Sequence, residues 1–193
     1  MARVKDVELN EAPKEISLIY KNFLENYGPF ANQAKVFAHR PIIFKHMMSM
    51  LMEMADNPII DKRYLEIAIV SVSAVNRCNY CVAHHAPNLI SEGLSEITID
   101  NILEDDCPGL KRLDHLVRDY AVQITKDHNR VHDKQFEELR KYFSEAQMVE
   151  LTFRITLCTF FNKFNDVMQL EMEESELLYL KKWDKEYKGK LLI

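Results

Sequence analysis

The sequence predicts an all-α protein that folds as a single domain. Apolar residues recur at three- and four-residue intervals along nearly the whole chain, which is the spacing of amphipathic helices. The chain has only four Gly and six Pro among 193 residues, too few for the many turns of a β-rich fold. Apolar residues make up 47% of the chain, enough for a sizeable core. No linker or low-complexity stretch divides it, so we expect one helical domain over residues 1–193.

Turn-forming and capping residues place the helices of the first half. Pro13 and Pro41 are typical first residues of a helix, and Gly93 is typical of the position just after one. Ser95 is an N-cap candidate for a short fifth helix. The predicted helices cover about residues 13–27, 41–55, 61–76 and 78–93, with the short fifth helix after residue 95.

The second half begins after a Pro-Gly loop at residues 105–109. Apolar spacing predicts a sixth helix over residues 113–124 and a seventh over 133–142. Ser144 and Gln147 form a capping-box pattern that opens a long eighth helix, to about residue 170. A final helix is expected around Leu177, Leu180 and Trp183.

The two halves share a weak internal similarity at an offset of 84 residues. The offset pairs Glu66 with Glu150, Cys78 with Asn162, and Cys81 with Asn165. Two interpretations stay open at this stage: an internal two-fold repeat, and chance similarity between two apolar helices. Because Glu150 also lies in an apolar helix, we expect a structural buried hydrogen bond for its carboxylate.

Charge and hydropathy exclude several classes of function. The net charge is −5 and no basic stripe is present, so we expect no nucleic-acid partner. No glycine-rich nucleotide-binding motif occurs. The first fifteen residues have no apolar core of a signal peptide, and the longest apolar run, residues 67–75, is too short to span a membrane. We therefore expect a cytoplasmic protein with reduced thiols and no membrane partner.

A pair of cysteines followed by a histidine carries the clearest chemical signal. Cys78, Cys81 and His85 are spaced by three, four and seven positions, so all three share one face of the fourth helix. Cys78 lies near the start of that helix, where free backbone N–H groups and the helix dipole favour a thiolate. A histidine one turn along can accept a thiol proton or stabilise the thiolate.

Glu66 is an acidic residue in an otherwise apolar helix. The residues around it, from Tyr64 to Val75, are nearly all apolar, which predicts that this third helix is buried. A buried carboxylate is costly unless it is paired or hydrogen-bonded. A bond to the imidazole of His85 would satisfy it, and Glu66–His85–Cys81 would then form a relay that activates a nucleophile.

Two other interpretations of these residues remain open at this stage. The thiols could be inert core groups, or Cys78, Cys81 and His85 could bind a metal with Glu66 or His84 as the fourth ligand, although no second Cys/His pair is present. We favour a site without a metal.

The residues beside the motif receive structural predictions. His84 points about 100° away from His85, so a surface or interface position is expected for it. Tyr80 is expected to serve packing. Cys107 and Cys158 have no histidine four residues on, so we interpret both as bystanders.

The whole motif, Glu-x11-Cys-x2-Cys-x3-His, resembles that of the AhpD-like alkylhydroperoxidases of the carboxymuconolactone decarboxylase superfamily. The resemblance covers about residues 61–103, and residues 36–51 are similar to the family's preceding segment. The Cys pair is specific to the thiol-bearing branch, so the resemblance favours redox chemistry over lactone decarboxylation. It implies an AhpD-like helical bundle that assembles as a homo-oligomer, a trimer or hexamer.

The resemblance also implies roles for four residues. Cys81 would react with the peroxide, Cys78 would be its disulfide partner, and His85 and Glu66 would form the proton relay. Tyr80 stands where the best-known peroxidase of the family has a histidine, so that histidine's contribution is missing here.

The expected function is therefore a cytoplasmic antioxidant peroxidase or disulfide reductase that needs no cofactor. Its substrate would be a hydroperoxide, and its reductant a dithiol or lipoyl-type group. The alternative is a non-catalytic redox sensor or binding module that uses the same cysteines as a switch.

Overall fold

The computed structural model describes residues 2–27 and 29–175, and within them the protein is all-α, as predicted. Nine α-helices and two 3₁₀ segments, Leu9–Glu11 and His128–Arg130, make up this part of the chain. The helices are α1 (Lys14–Asn26), α2 (Ala31–Phe37), α3 (Pro41–Asp56), α4 (Lys62–Val75), α5 (Asn79–Ser91), α6 (Glu96–Asp100), α7 (Arg112–Asp127), α8 (Asp133–Arg140) and α9 (Glu145–Met168).

The predicted capping residues begin their helices. Ser95 accepts a hydrogen bond from the backbone of Thr98 at the start of α6. Ser144 and Gln147 form the reciprocal capping box of α9. Each side chain satisfies a backbone N–H that has no partner within its helix. The helix expected around Leu177 lies outside the described residues.

Helix α4 is the central element of the larger core. It packs against α5, α7 and α9, and nine of its fourteen residues are buried, from Glu66 to Ala74. A helix apolar on nearly every side fits only a position covered on all sides by other helices. This burial explains why every polar side chain on α4 near the centre of the protein has a specific partner.

A second core lies between α1, α2 and α3. Its largest fully buried side chains are Tyr20, Phe23, Phe44, Ile16 and Met48. Aromatic residues of α9, including Phe161, pack against it, so α9 connects the two cores. Within the described residues, no helix combines the length and apolar character that a membrane span needs.

Two sequence expectations differ from the structure. Helix α2 was not predicted, because its seven residues are too few for a clear periodic pattern and no side chain caps its start. The second difference concerns the internal similarity at an offset of 84 residues. In the first half, α4 ends before Cys78 and a separate helix, α5, follows it, whereas α9 continues without a break through the paired positions Asn162 and Asn165. The helix pair is therefore not repeated as a unit.

Candidate active site

The turn between α4 and α5 places Cys78 at the start of α5. The backbone N–H of Cys78 donates to Ser73 O (2.9 Å), and that of Arg77 donates to Ala74 O (3.1 Å). This pair of bonds is a Schellman motif, which normally has glycine at the left-handed position. Here Arg77 takes that position with φ 58°. The turn reverses the chain, and Cys78 becomes the N-cap residue of α5.

The two thiols differ in accessibility. Cys78 is fully buried, whereas Cys81 is 5% exposed. The hydrogen bond between the two thiols and the burial of Cys78 both raise the pKa of Cys78, so Cys78 holds its proton. Leu170 and Phe30 pack against the buried cluster that these two cysteines form with Tyr80. The structure therefore presents Cys81 as the thiol that small molecules can reach.

A chain of amide groups ends at the sulfur of Cys81. Asn165 Nδ2 on α9 donates to Cys81 Sγ at 3.3 Å. Gln33 Nε2 on α2 donates to Asn165 Oδ1 at 2.9 Å, which orients that amide. All three residues are buried. A fixed N–H donor aimed at sulfur stabilises a thiolate more than a thiol.

Glu66 and His85 lie in direct contact between α4 and α5. His85 Nδ1 is 2.8 Å from Glu66 Oε2, and Asn88 Nδ2 donates to Glu66 Oε1 at 3.0 Å. A carboxylate can only accept, so Nδ1 carries the proton and the other ring nitrogen, Nε2, can accept one. The buried carboxylate thus has a partner on each oxygen, and it holds the imidazole in one tautomer.

Cys81 and His85 both line one apolar cavity, which we call the inner pocket. Its other lining residues come from α1, α3, α4, α9 and the segment around α2: Tyr27, Phe30, Gln33, Leu51, Ile69, Arg154, Leu157, Cys158 and Phe161. A larger cavity, the outer groove, lies on the other side of His85 and shares Tyr27, Phe30, His85 and Arg154 with it. Cys78 is absent from both linings. A small molecule in the inner pocket would meet Cys81 and His85 together.

His84 is buried, and the expectation of a surface or interface position was wrong. Its Nδ1 is 2.7 Å from the Tyr80 carbonyl, and its Nε2 is 2.8 Å from both Pro29 O and Glu173 Oε2. Each ring nitrogen of His84 therefore lies within hydrogen-bonding distance of an acceptor. The residue does point away from His85, but Pro29 and the segment after α9 cover that side of α5.

Tyr80 also belongs to this network. Its hydroxyl donates to Glu173 Oε1 at 2.9 Å, and the backbone N–H of Asn32 donates to the same oxygen at 2.8 Å. Burial raises the pKa of Tyr80, and the neighbouring Glu173 carboxylate raises it further. Tyr80 therefore stays protonated and helps to hold residues 170–175, which we call the C-terminal strap, against α5.

The remaining predicted residues lie at a distance from this chemistry or in its walls. Cys107 donates to the Thr98 carbonyl, and burial raises its pKa to about 11. Cys158 contacts Ser73 and lies in the wall of the inner pocket, where burial raises its pKa to about 12. Glu150 is half-exposed in the outer groove rather than buried, which corrects the expectation of a buried hydrogen bond.

Residues 2–27 and 29–175 contain no cluster of three or more His, Cys, Asp or Glu side chains that could hold a metal ion. The absence of a metal or another cofactor from the working protein stays a prediction.

Several residues of the site gave no clear signal in the sequence. Arg154, Tyr27 and Phe30 reach the inner pocket from distant parts of the chain. Asn165 had one available signal, because the 84-residue offset pairs it with Cys81, the residue that it contacts. Asn88 lies one turn after His85 on α5, so helical spacing could have placed it near Glu66.

Comparison with known proteins finds the family whose motif the sequence resembles. The sequence model of the carboxymuconolactone decarboxylase family matches residues 41–108. The alkyl hydroperoxide reductase AhpD of Coxiella burnetii is 38% identical over 52 residues, which are 27% of this chain and 29% of that protein. The matched region thus spans less than a third of the relative's length.

Solved structures show the same fold over most of the chain. An uncharacterized peroxidase-related protein from Ralstonia eutropha, described as an alkylhydroperoxidase AhpD core, has a TM-score of 0.76 at 20% identity, covering 92% of this chain and 95% of that one. The debrominase Bmp8, solved as a variant in complex with 2,3,4-tribromopyrrole, has a TM-score of 0.76 at 16% identity, covering 95% and 100%. At these identities the similarity concerns the fold.

Proposed function

We propose that this chain, an AhpD-like member of the carboxymuconolactone decarboxylase superfamily, is a thiol-dependent peroxidase. Its catalytic residues would be Cys81, Cys78, His85 and Glu66. The observation that carries the proposal is the position of His85, which binds Glu66 on one side and lines the same pocket as Cys81. This arrangement joins a nucleophile, a base and the group that orients the base.

The first step is oxidation of Cys81. Its thiolate attacks the outer oxygen of a hydroperoxide, the O–O bond breaks, and Cys81 becomes a sulfenic acid. The alkoxide that leaves takes a proton from His85, which had accepted it from the thiol, and departs as an alcohol. Glu66 stabilises the imidazolium during this transfer, because its carboxylate bonds to the opposite ring nitrogen.

The second step forms a disulfide. The thiol of Cys78 displaces the hydroxyl of the sulfenic acid, which leaves as water once the Cys78 proton is transferred. An external dithiol then reduces the disulfide through a mixed-disulfide intermediate and is itself oxidised. The Cys78 thiol is protonated in the resting state and fully buried, which fits a resolving thiol better than an attacking one. A lipoyl-type reductant and a trimeric or hexameric assembly remain part of the proposal.

Single cysteine variants test this function. Cys81→Ser should abolish consumption of cumene hydroperoxide in the presence of dithiothreitol. Without dithiothreitol, prereduced Cys78→Ser should consume about one equivalent and then accumulate sulfenic acid, which dimedone traps and mass spectrometry detects. Cys107→Ser is the matched control, because that thiol is also buried but bonds to Thr98 outside the site. Turnover that survives both Cys81→Ser and Cys78→Ser would refute the assignment.

The second candidate is a redox switch, and the burial of Cys78 favours it. A disulfide that external thiols reach only slowly would persist as a signal instead of completing a catalytic cycle. The two functions differ in stoichiometry. An enzyme consumes many equivalents of peroxide per chain when dithiothreitol is in excess, whereas a switch consumes one equivalent and stays oxidised.

A further inference from the structure

Arg154 lies where the inner pocket meets the outer groove. It is half-buried on α9 and lines both cavities, together with Tyr27, Phe30 and His85. Burial raises the pKa of Tyr27, while the charge of Arg154 and its hydrogen bond to the phenol oppose that rise. A guanidinium has five N–H donors, so the interaction with Tyr27 leaves donors for a further partner.

The inner pocket is otherwise free of fixed charge. Its lining is aromatic and aliphatic apart from Gln33, the two cysteines, His85 and Arg154, and no Asp or Glu belongs to it. In the described ranges no carboxylate lies within 4.0 Å of the Arg154 guanidinium. The inner pocket has a volume of about 50 Å³ and the outer groove one of about 1010 Å³, so a ligand of more than a few atoms must lie mainly in the groove and reach into the pocket with one end. A junction of this kind with one such cation is suited to a ligand that is mostly apolar and carries one negative group.

The carboxylates of the outer groove do not cancel the attraction of Arg154 for an anion. Asp61 caps α4 by accepting from the Arg63 backbone, and Glu66 is held by His85 and Asn88. Glu150 lies one turn before Arg154 on α9 and faces only the groove. An anion at the junction of the two cavities therefore meets a guanidinium that none of these carboxylates pairs with.

We propose that Arg154 binds the carboxylate of the substrate, and that the substrate class is an apolar organic hydroperoxide bearing one carboxylate. This inference rests on the proposed peroxidase function. The carboxylate pairs with the guanidinium while the peroxide group reaches Cys81, so Arg154 determines specificity and takes no part in bond breaking. The chemical step stays as given above, because the carboxylate itself is neither oxidised nor reduced.

A matched pair of substrates tests the inference. Cumene hydroperoxide and its para-carboxylate derivative differ by one charged group, and kcat/KM is measured for each. Wild type should prefer the acid, and Arg154→Met should lower the ratio of acid to neutral kcat/KM by about ten- to a hundredfold, the range for a hydrogen-bonded charge pair that is only partly exposed. Arg154→Lys should retain part of the preference, because it keeps the charge but loses the two-pronged bond.

Two outcomes would overturn the proposal. One is an equal loss for both substrates in Arg154→Met, which would mean that the guanidinium stabilises the Cys81 thiolate and does not select an anion. The other is an acid preference that disappears in Glu150→Gln as completely as in Arg154→Met. Glu150→Gln is the matched control, since it removes the nearest groove charge on the same helix and should leave the preference at or above the wild-type value.

A binding measurement separates failure of this inference from failure of the proposed function. Calorimetry on Cys81→Ser protein compares 4-isopropylbenzoate with its methyl ester, neither of which contains a peroxide. Tighter binding of the acid that depends on Arg154 supports the inference even if no peroxide is turned over. Equal binding of acid and ester overturns it even if the peroxidase is active.

Discussion

The bond between Glu66 and His85 allows the sharpest test of the proposed relay. Replacing Glu66 with Gln keeps the size of the side chain and removes its charge. The Oε2–Nδ1 distance is 2.8 Å, and the two side chains are 9% and 18% exposed, so solvent screens the pair only in part. A hydrogen bond to a charged group of this kind contributes about 1.5–3 kcal/mol, which corresponds to about a ten- to hundredfold slower oxidation of Cys81.

The assay follows the oxidation step alone. Reduced protein is mixed with excess cumene hydroperoxide, free thiols are trapped by iodoacetamide at set times, and mass spectrometry gives the second-order rate constant. Asn88→Ala is the matched control, because it removes the other partner of Glu66 and leaves the bond to His85 in place. We expect Asn88→Ala to remain within about threefold of wild type.

Either of two results would refute the relay. If Glu66→Gln oxidises within twofold of wild type, the carboxylate does not assist the imidazole. If Asn88→Ala slows the reaction as much as Glu66→Gln does, the effect belongs to the packing between α4 and α5 and not to the charge on His85. Circular dichroism of both variants excludes a general loss of helix as the cause.

Three further predictions concern stability and access. Arg77→Gly should stabilise the protein by about 0.5–1 kcal/mol in urea unfolding, because a left-handed position disfavours a residue with a Cβ; a lower midpoint would contradict this. Asp114→Asn should cost about 3–5 kcal/mol by breaking a buried ion pair, measured by the same unfolding experiment. Burial alone would raise the pKa of Asp114, but the bonded guanidinium of Arg63 and the backbone N–H of Lys111 lower it below its usual value. The stability that the ionised Asp114 carboxylate contributes should therefore be lost only as the pH falls below about 4. Asp114→Asn should not show this loss. Glu173→Gln should loosen the C-terminal strap and raise the iodoacetamide labelling rate of Cys78 about tenfold. Glu174 is exposed, so Glu174→Gln is the control and should label at the wild-type rate. Equal labelling rates in both variants would show that the strap does not protect the thiol.

Local sequence rules predicted most of the fold because most helices carry their own signals. α4 is apolar on almost every side, α9 begins with a capping box, and proline begins α3. α2 lacks such signals: its seven residues are held by tertiary contacts, such as the bond from Gln33 to Asn165 132 residues away. A pattern read over about 11 to 18 consecutive residues cannot predict contacts between residues so far apart in the sequence.

The candidate site shows the same division between local and distant information. The contact between Glu66 and His85 could be predicted because a carboxylate in an apolar helix has few ways to be satisfied. The catalytic roles of these residues remain to be tested. The environment of His84 could not be predicted, since helical geometry gives the direction of a side chain but not what covers it. Pro29 and Glu173 cover it, from 55 residues before and 89 residues after it in the chain.

The amide of Asn165 links the oxidation state of the thiols to the energy of the fold. In the reduced protein its N–H group has an acceptor in the sulfur of Cys81, deep in the interior. The Cys81 thiolate of the proposed mechanism is a strong acceptor, whereas a disulfide sulfur is neutral and accepts weakly, so oxidation leaves this donor poorly paired where water cannot replace the bond. The bond from Asn165 thus favours the reduced pair over the disulfide in the folded protein, and unfolding would remove this contribution. The reduction potential of the pair should therefore be higher in the native protein than in the denatured chain.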